Sequence, residues 1–150
     1  MTECGNDPRV RAWRAFQLAQ VTAVERIEAE LDHQGLPAHL AWYDVLYALS
    51  AAPDRALRMR ELAPRVVITR SWLSRVVDRL EAEGLVCRRS CPSDRRGAFV
   101  VLTDEGAALL DRARPAYEAA LDAHFARHVP DLDALRSAME AITAPAAERV

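Results

Sequence analysis

The sequence predicts a mainly α-helical chain with one small β-hairpin, and three observations carry that prediction. Apolar residues recur at three- and four-residue spacing over most of the 150 positions, which is the mark of amphipathic helices. Two β-rich runs, residues 85–89 and 98–103, flank a turn-prone segment that carries Asp94-Arg95-Arg96-Gly97. Just before them, Thr69 opens an amphipathic run that ends at Gly84, so a capped helix precedes the hairpin.

Composition bounds the rest. A chain of 150 residues that is 51% hydrophobic is expected to fold as one domain, residues 1–150, with enough apolar surface to exclude disorder over most of its length. No apolar run approaches the ~20 residues of a membrane span, and the N-terminus lacks a signal-peptide pattern, so a soluble, cytoplasmic protein with no membrane partner is expected. Cys4, Cys87 and Cys91 are too few for a disulfide framework and lack metal-finger spacing. The net charge of −2 is unevenly spread. Residues 58–97 hold ten Arg against five Asp/Glu, a local +5, and the remainder carries −7. A basic block on an acidic scaffold is the electrostatic footprint of a nucleic-acid reader. All twenty basic residues are Arg, which with the abundant Ala reflects codon usage in a GC-rich genome.

The first helix is expected over residues 9–33, where Phe16, Ala19, Ala23 and Ile27 form one apolar row and Trp13, Val24 and Leu31 a second. Gly35-Leu36-Pro37 ends it. A second helix over 38–51 places Trp42, Val45, Leu46 and Leu49 inward, and Pro53-Asp54 breaks it. Residues 58–66 read as a short helix contacting through Met59, Leu62 and Ala63, with Pro64 removing one donor. Val66-Val67-Ile68 would be the turn and Thr69 the N-cap of the next helix; that order is helix-turn-helix spacing. After the hairpin, Thr103 and Asp104 start a long helix to about His128, bent at Pro115, and a last helix follows over 131–142. The apolar faces at the two chain ends exceed what the central module can cover, so a second copy of the chain is the expected partner.

On a helical wheel, residues 69–83 separate Leu73, Val76, Val77 and Leu80 as the core side from Ser71, Ser74, Arg75 and Asp78 on the opposite side. Arg70, Trp72 and Arg79 stand on the flanks. Hydroxyls mixed with Arg suit base-edge and phosphate contacts in a major groove. By itself such a face is more often simply solvated; the short preceding helix and the following arginine loop reverse that balance. In the hairpin, Ser93-Asp94-Arg95-Arg96-Gly97 is expected to form the tip, where an Arg gains from the negative potential of a narrow minor groove and Asp94 orients it. The expected DNA-binding set is Thr69, Arg70, Ser71, Ser74, Arg75, Arg79, Asp94, Arg95 and Arg96.

Leu62-Ala63, Thr69-Arg70-Ser71, Val77-Asp78-Arg79-Leu80-Glu81, Gly84-Leu85-Val86, Asp94-Arg95-Arg96 and Leu102-Thr103-Asp104-Glu105-Gly106 together resemble the MarR family of winged helix-turn-helix regulators. The resemblance is densest over residues 58–106. It implies a homodimer whose dimerisation helices are residues 9–35 and 104–145, and a winged helix-turn-helix lobe over 38–103 that binds double-stranded DNA at a pseudo-palindrome. It implies a transcriptional repressor released by a small-molecule effector, with Arg96 entering the minor groove. Trp13, Phe16, His39, Trp42 and Tyr43 would line a crevice for a small aromatic or amphipathic effector, although an aromatic group at helical spacing is more often core. Two departures stand out. Val67 replaces a common turn Gly, so the turn should avoid positive φ, and Trp72 is bulky where small residues are usual.

Other signals are weaker. His124 and His128, four apart, could share a helix face as metal ligands, but no third ligand stands near them and a surface role is the commoner one; no metal or other cofactor is expected. A buried strand thiol at Cys87 and a loop thiol at Cys91 is the plainer reading, against a redox-responsive regulator in which Arg88 and Arg89 lower a thiol pKa. No catalytic set stands out, so an enzyme is not expected. A winged-helix protein–protein interaction module is the rival from another class.

Overall fold

The computed structural model describes residues 7–91 and 94–145, without the side chains of 91 and 94–96. It divides into two compact units, one formed by the described parts of Met1–Ile27 and Tyr117–Val150, the other by Glu28–Ala116. Among the described residues the α-helices and strands are, in order, α1 (Pro8–His33), α2 (Leu40–Ser50), β1 (Ala56–Arg58), α3 (Met59–Leu62), α4 (Arg70–Ala82), β2 (Val86–Cys91), β3 (Asp94–Leu102), α5 (Asp104–His124) and α6 (Leu132–Thr143). No described helix is long and apolar enough to cross a membrane.

The core lies in the Glu28–Ala116 unit. Val45, Leu46 and Leu49 of α2 meet Leu62 of α3, the row Leu73, Val76, Val77 and Leu80 of α4, and Val86, Val100 and Leu102 of the sheet. Helices α1 and α4 end in the same way. Gly35 (φ +71°) follows α1 and Gly84 (φ +74°) follows α4. In each case the next residue donates to a carbonyl five positions back, Leu36 N–H to Leu31 at 3.0 Å and Leu85 N–H to Leu80 at 2.9 Å. This closure satisfies carbonyls that a helix end leaves orphaned, and it needs a left-handed residue that glycine adopts without steric cost. The start of α2 is capped from outside: Glu28 of α1 accepts from Leu40 N–H at 2.9 Å, placing a carboxylate at a positive helix end.

The structure departs from the sequence expectations at several places. The sheet has three strands, in the order β1-β3-β2, because Ala56–Arg58 pairs antiparallel with β3, Leu57 opposite Val100. Arg58 therefore ends a strand instead of lying within a helix. The α-helical part of the short helix is only Met59–Leu62; Pro64 lacks the N–H that would continue it, and Ala63–Arg65 winds as a 3₁₀ turn. Of the expected tip, Ser93 lies outside the described residues, and the Asp94-Arg95-Arg96-Gly97 run belongs to strand β3. The ladder holds Ser90 opposite Ala98 and Cys91 opposite Asp94, so Arg95, Arg96 and Gly97 are extra residues on one side of a bulged pair. Helix α5 ends at His124, and His128 sits in a separate 3₁₀ turn, Ala126–His128. There the His128 ring nitrogen lies 3.2 Å from the Ala123 carbonyl, so the two histidines do not share a helix face. Pro115 does lie inside α5. Asp131 caps α6, accepting from Ala134 N–H at 2.9 Å.

Candidate nucleic-acid interface

The turn before α4 is tied from two sides. Val67 N–H donates to the Asp44 carboxylate of α2 at 2.6 Å, and Thr69 Oγ1 accepts from Trp72 N–H at 3.3 Å as the N-cap of α4. Burial holds the Asp44 carboxyl above the usual range, and the Val67 N–H pulls it back. Val67 is not among the positive-φ residues, as its β-branch requires; its side chain is 93% exposed.

The wheel separation holds in three dimensions. Leu73, Val76, Val77 and Leu80 are buried, whereas Thr69, Arg70, Ser71, Ser74, Arg75, Asp78 and Arg79 are all exposed. Thr69 and Ser71 hydroxyls stand 3.2 Å apart, and Ser74 Oγ donates to the Arg70 carbonyl at 3.5 Å. Both bonds are local and exposed, so a ligand can replace them at low cost. Trp72 is 59% exposed on the flank of this face.

Asp78 and Glu81 would make the face partly acidic, but both are held. Arg88 of β2 places Nη2 2.6 Å from Asp78 Oδ1, and its Nη1 bonds Glu81 Oε2. Sequence reading missed this arginine. The available signal was a cation two residues into the strand after a helix bearing carboxylates at i and i+3. The role of Asp44 gave no comparable signal, since a carboxylate within an apolar helix reads as an ordinary exposed residue.

The wing is supported from β1. The Arg58 guanidinium lies over the Phe99 ring, 5.0 Å from its centroid, a cation–π arrangement. Its Nη1 stands 3.1 Å from where a Cβ on Gly97 would be, so a side chain there would displace it. The side chains of Asp94, Arg95 and Arg96 lie outside the described residues. Cys87 is exposed on β2, which corrects the expectation of a buried thiol: Val86 takes the inward position and its neighbour faces out. The Cys91 position belongs to β2 and not to a loop, and its side chain, like Cys4, lies outside the described residues. Arg88 is committed to Asp78 and Glu81 rather than to a thiolate.

The candidate effector residues fall into two groups. Trp13 and Phe16 stack with centroids 5.9 Å apart, exposed on α1 in the first unit. His39 and Trp42 pair at 5.4 Å in the second unit. Tyr43 is buried, and burial pushes its hydroxyl pKa up against the opposing charge of Arg112. Within the second unit an open cavity of about 390 Å³ is lined by Pro37, Trp42, Glu83, Leu85, Glu105, Ala108, Leu109 and Arg112. Of the five predicted residues only Trp42 lines it.

The joint between α4, the sheet and α5 fixes how these parts are presented. Thr103 N–H donates to the Leu85 carbonyl at 3.1 Å, its hydroxyl donates to the Gly84 carbonyl at 2.7 Å, and the same oxygen accepts from Gly106 N–H at 3.1 Å.

Comparison with known proteins gives one consistent result. A MarR family model matches residues 34–97. Sco3205, a MarR family transcriptional regulator of Streptomyces coelicolor whose crystal structure is in complex with DNA, is 36% identical with a TM-score of 0.75, over 88% of this chain and 84% of that one. AbsC, a MarR family transcriptional regulator of the same organism, is 32% identical with a TM-score of 0.81, over 92% and 93% of the two chains. The HTH-type transcriptional regulator MhqR of Bacillus subtilis is 28% identical over 86 residues. That match takes in 57% of this chain and spans only 56% of the MhqR length.

Proposed function

The chain belongs to the MarR family of winged helix-turn-helix transcriptional regulators, and on that premise we propose that it controls transcription as a cytoplasmic homodimer bound to a pseudo-palindromic DNA operator. The family comprises regulators and not enzymes. In this reading each α4 enters a major groove. Ser71, Ser74 and Arg75 meet base edges, while Thr69, Arg70 and Arg79 meet the phosphate backbone. Arg95 and Arg96 of the wing reach the flanking minor groove, oriented by Asp94. Half-sites then lie about one helical turn, ~34 Å, apart.

The observation that carries the proposal is the complete division of α4. Four residues anchor it in the core, and Thr69, Arg70, Ser71, Ser74, Arg75 and Arg79 are all exposed beside a locally basic surface. That Sco3205 crystallised in complex with DNA supports the same reading. The homodimer is supported by Trp13, Phe16, Leu18 and Val21, exposed along α1, and by Leu132 and Ile142 on α6, an apolar surface that a second copy would cover. Repression relieved by a small aromatic or amphipathic effector completes the proposal. The cavity supports it by setting Trp42, Leu85 and Leu109 beside the cationic Arg112, and an effector acts only through its differential affinity for the two dimer states.

The test is gel-shift titration on duplexes selected in vitro by the unaltered protein. Arg75→Ala should cost about 1–3 kcal/mol and relax preference at one position, and Arg96→Ala should weaken binding chiefly through A·T-rich flanks. Unchanged affinity in both variants would refute the assigned surface. A protein that prefers no sequence, and whose affinity has a shallow salt dependence, would instead be a protein-binding module.

A further inference from the structure

Asp78 poses a problem that the DNA-binding reading leaves open. It stands on the outward side of α4 with Ser71, Ser74 and Arg75, one turn before Glu81, where a bare carboxylate would face the phosphates of any duplex seated on the helix. Phosphates within a Debye length, about 8 Å at physiological salt, would feel both charges. The structure places Arg88 across the pair, one guanidinium nitrogen on each carboxylate. A guanidinium fork can bridge two acceptors in this way, and an ammonium cannot do so with the same geometry. Each of the three side chains remains at least a third exposed, so the cluster sits at the surface and its field reaches a bound ligand.

We propose that Arg88 is a charge-masking residue for the recognition helix: it acts through Asp78 and Glu81, lowering their joint charge from −2 to −1 and with it their repulsion of phosphate, and does not itself contact DNA. This rests on the DNA-binding reading above. The cluster carries −1 as it stands, −2 when Arg88 is neutralised, and zero when all three residues are. Affinity should follow that order.

The experiment uses the full chain and a fluorescein-labelled duplex obtained by in vitro selection with the unaltered protein, titrated at several salt concentrations. Arg88→Gln should weaken binding on the order of tenfold, as expected for unmasking charge at an interface rim. The loss should shrink as salt rises, because the repulsion it unmasks is screened. Asp78→Asn/Glu81→Gln/Arg88→Gln should restore binding to at least the unaltered level, and Asp78→Asn/Glu81→Gln should not fall below it. The last two variants contain no unpaired carboxylate, so they decide the matter even if Arg88→Gln alone fails to fold. A triple variant that stays weak overturns the proposal and would identify Arg88 as a phosphate contact instead, since neutralising the two carboxylates cannot replace a lost contact. Failure of the unaltered protein to select any duplex overturns the DNA-binding reading, and the masking role falls with it.

Discussion

Gly106→Ala separates local helix propensity from the packing of the α4–α5 joint, because the two predict opposite signs. Gly106 is the third residue of α5 and its φ is not positive, so propensity alone favours Ala by about 1 kcal/mol. A Cβ there would lie 2.2 Å from the Leu85 carbonyl oxygen and 2.6 Å from Leu102 Cδ1. The first is backbone, held by Thr103 N–H at 3.1 Å, and cannot rotate away. Relief therefore requires the start of α5 to retreat by roughly 1 Å. That movement opens both the Thr103–Leu85 bond and the 2.7 Å bond from the Thr103 hydroxyl to the Gly84 carbonyl. Two hydrogen bonds at about 1 kcal/mol each, with about 1–3 kcal/mol of overpacking and the propensity gain subtracted, leave the variant roughly 2–4 kcal/mol less stable. Tm should fall by roughly 5–15 °C. Urea unfolding followed by circular dichroism, at one fixed protein concentration because a dimer's stability depends on it, measures the change. A variant as stable as the unaltered protein would refute the reasoning, and would mean that α5 can shift against the sheet freely.

Two further outcomes follow from the same interface. Burial raises the folded-state pKa of Asp44 above its ordinary 3.8, so the folded protein holds that proton more tightly than the unfolded chain. The stability this contributes is fully present below the unfolded pKa and is lost as pH rises through the folded one. Asp44→Asn keeps an acceptor for Val67 N–H and removes the titration, so unaltered protein minus variant, from urea unfolding across acid to neutral pH, should decline with pH; a flat difference would mean that the carboxyl titrates as it does in water. Trp72→Ala, at a 59% exposed site, should change stability by no more than about 0.5 kcal/mol while weakening DNA binding in fluorescence titration. A loss of stability above about 1 kcal/mol would instead assign the ring to packing.

Legibility in the sequence followed the range over which each feature is determined. The α4 core row, its Thr69 cap and its Gly84 stop were all readable, because periodicity and capping are set within a few residues. The strand Ala56–Arg58 was not, since three residues carry no alternation pattern and their partner, the second strand of the hairpin, lies beyond α3, α4 and β2. The Asp94-Arg95-Arg96-Gly97 run was read as a turn, whereas β3 includes it, with a bulge between Ser90 and Cys91. His124 and His128 were read as one helical face because nothing local announces the break at Phe125. Arg88 and Asp44 escaped for a different reason. Each acquires its role from a contact between elements, which a single-chain pattern does not encode.

The short strand β1 has a further consequence, for how the polypeptide is made. Its three residues leave the ribosome before α4 and both wing strands exist, yet their hydrogen-bonding partner is the last part of that module to be synthesised. Until β3 emerges, Leu57 has no Val100 to lie against and the ladder cannot close. Because the pairing is non-local, its loop-closure entropy is met only once everything between has been translated. Helix α4 can already lay its buried row against α2 and α3, but the sheet closes only at the end, and a chain that stopped before Phe99 would lack the strand that joins β1 to β2, leaving apolar core residues open to aggregation.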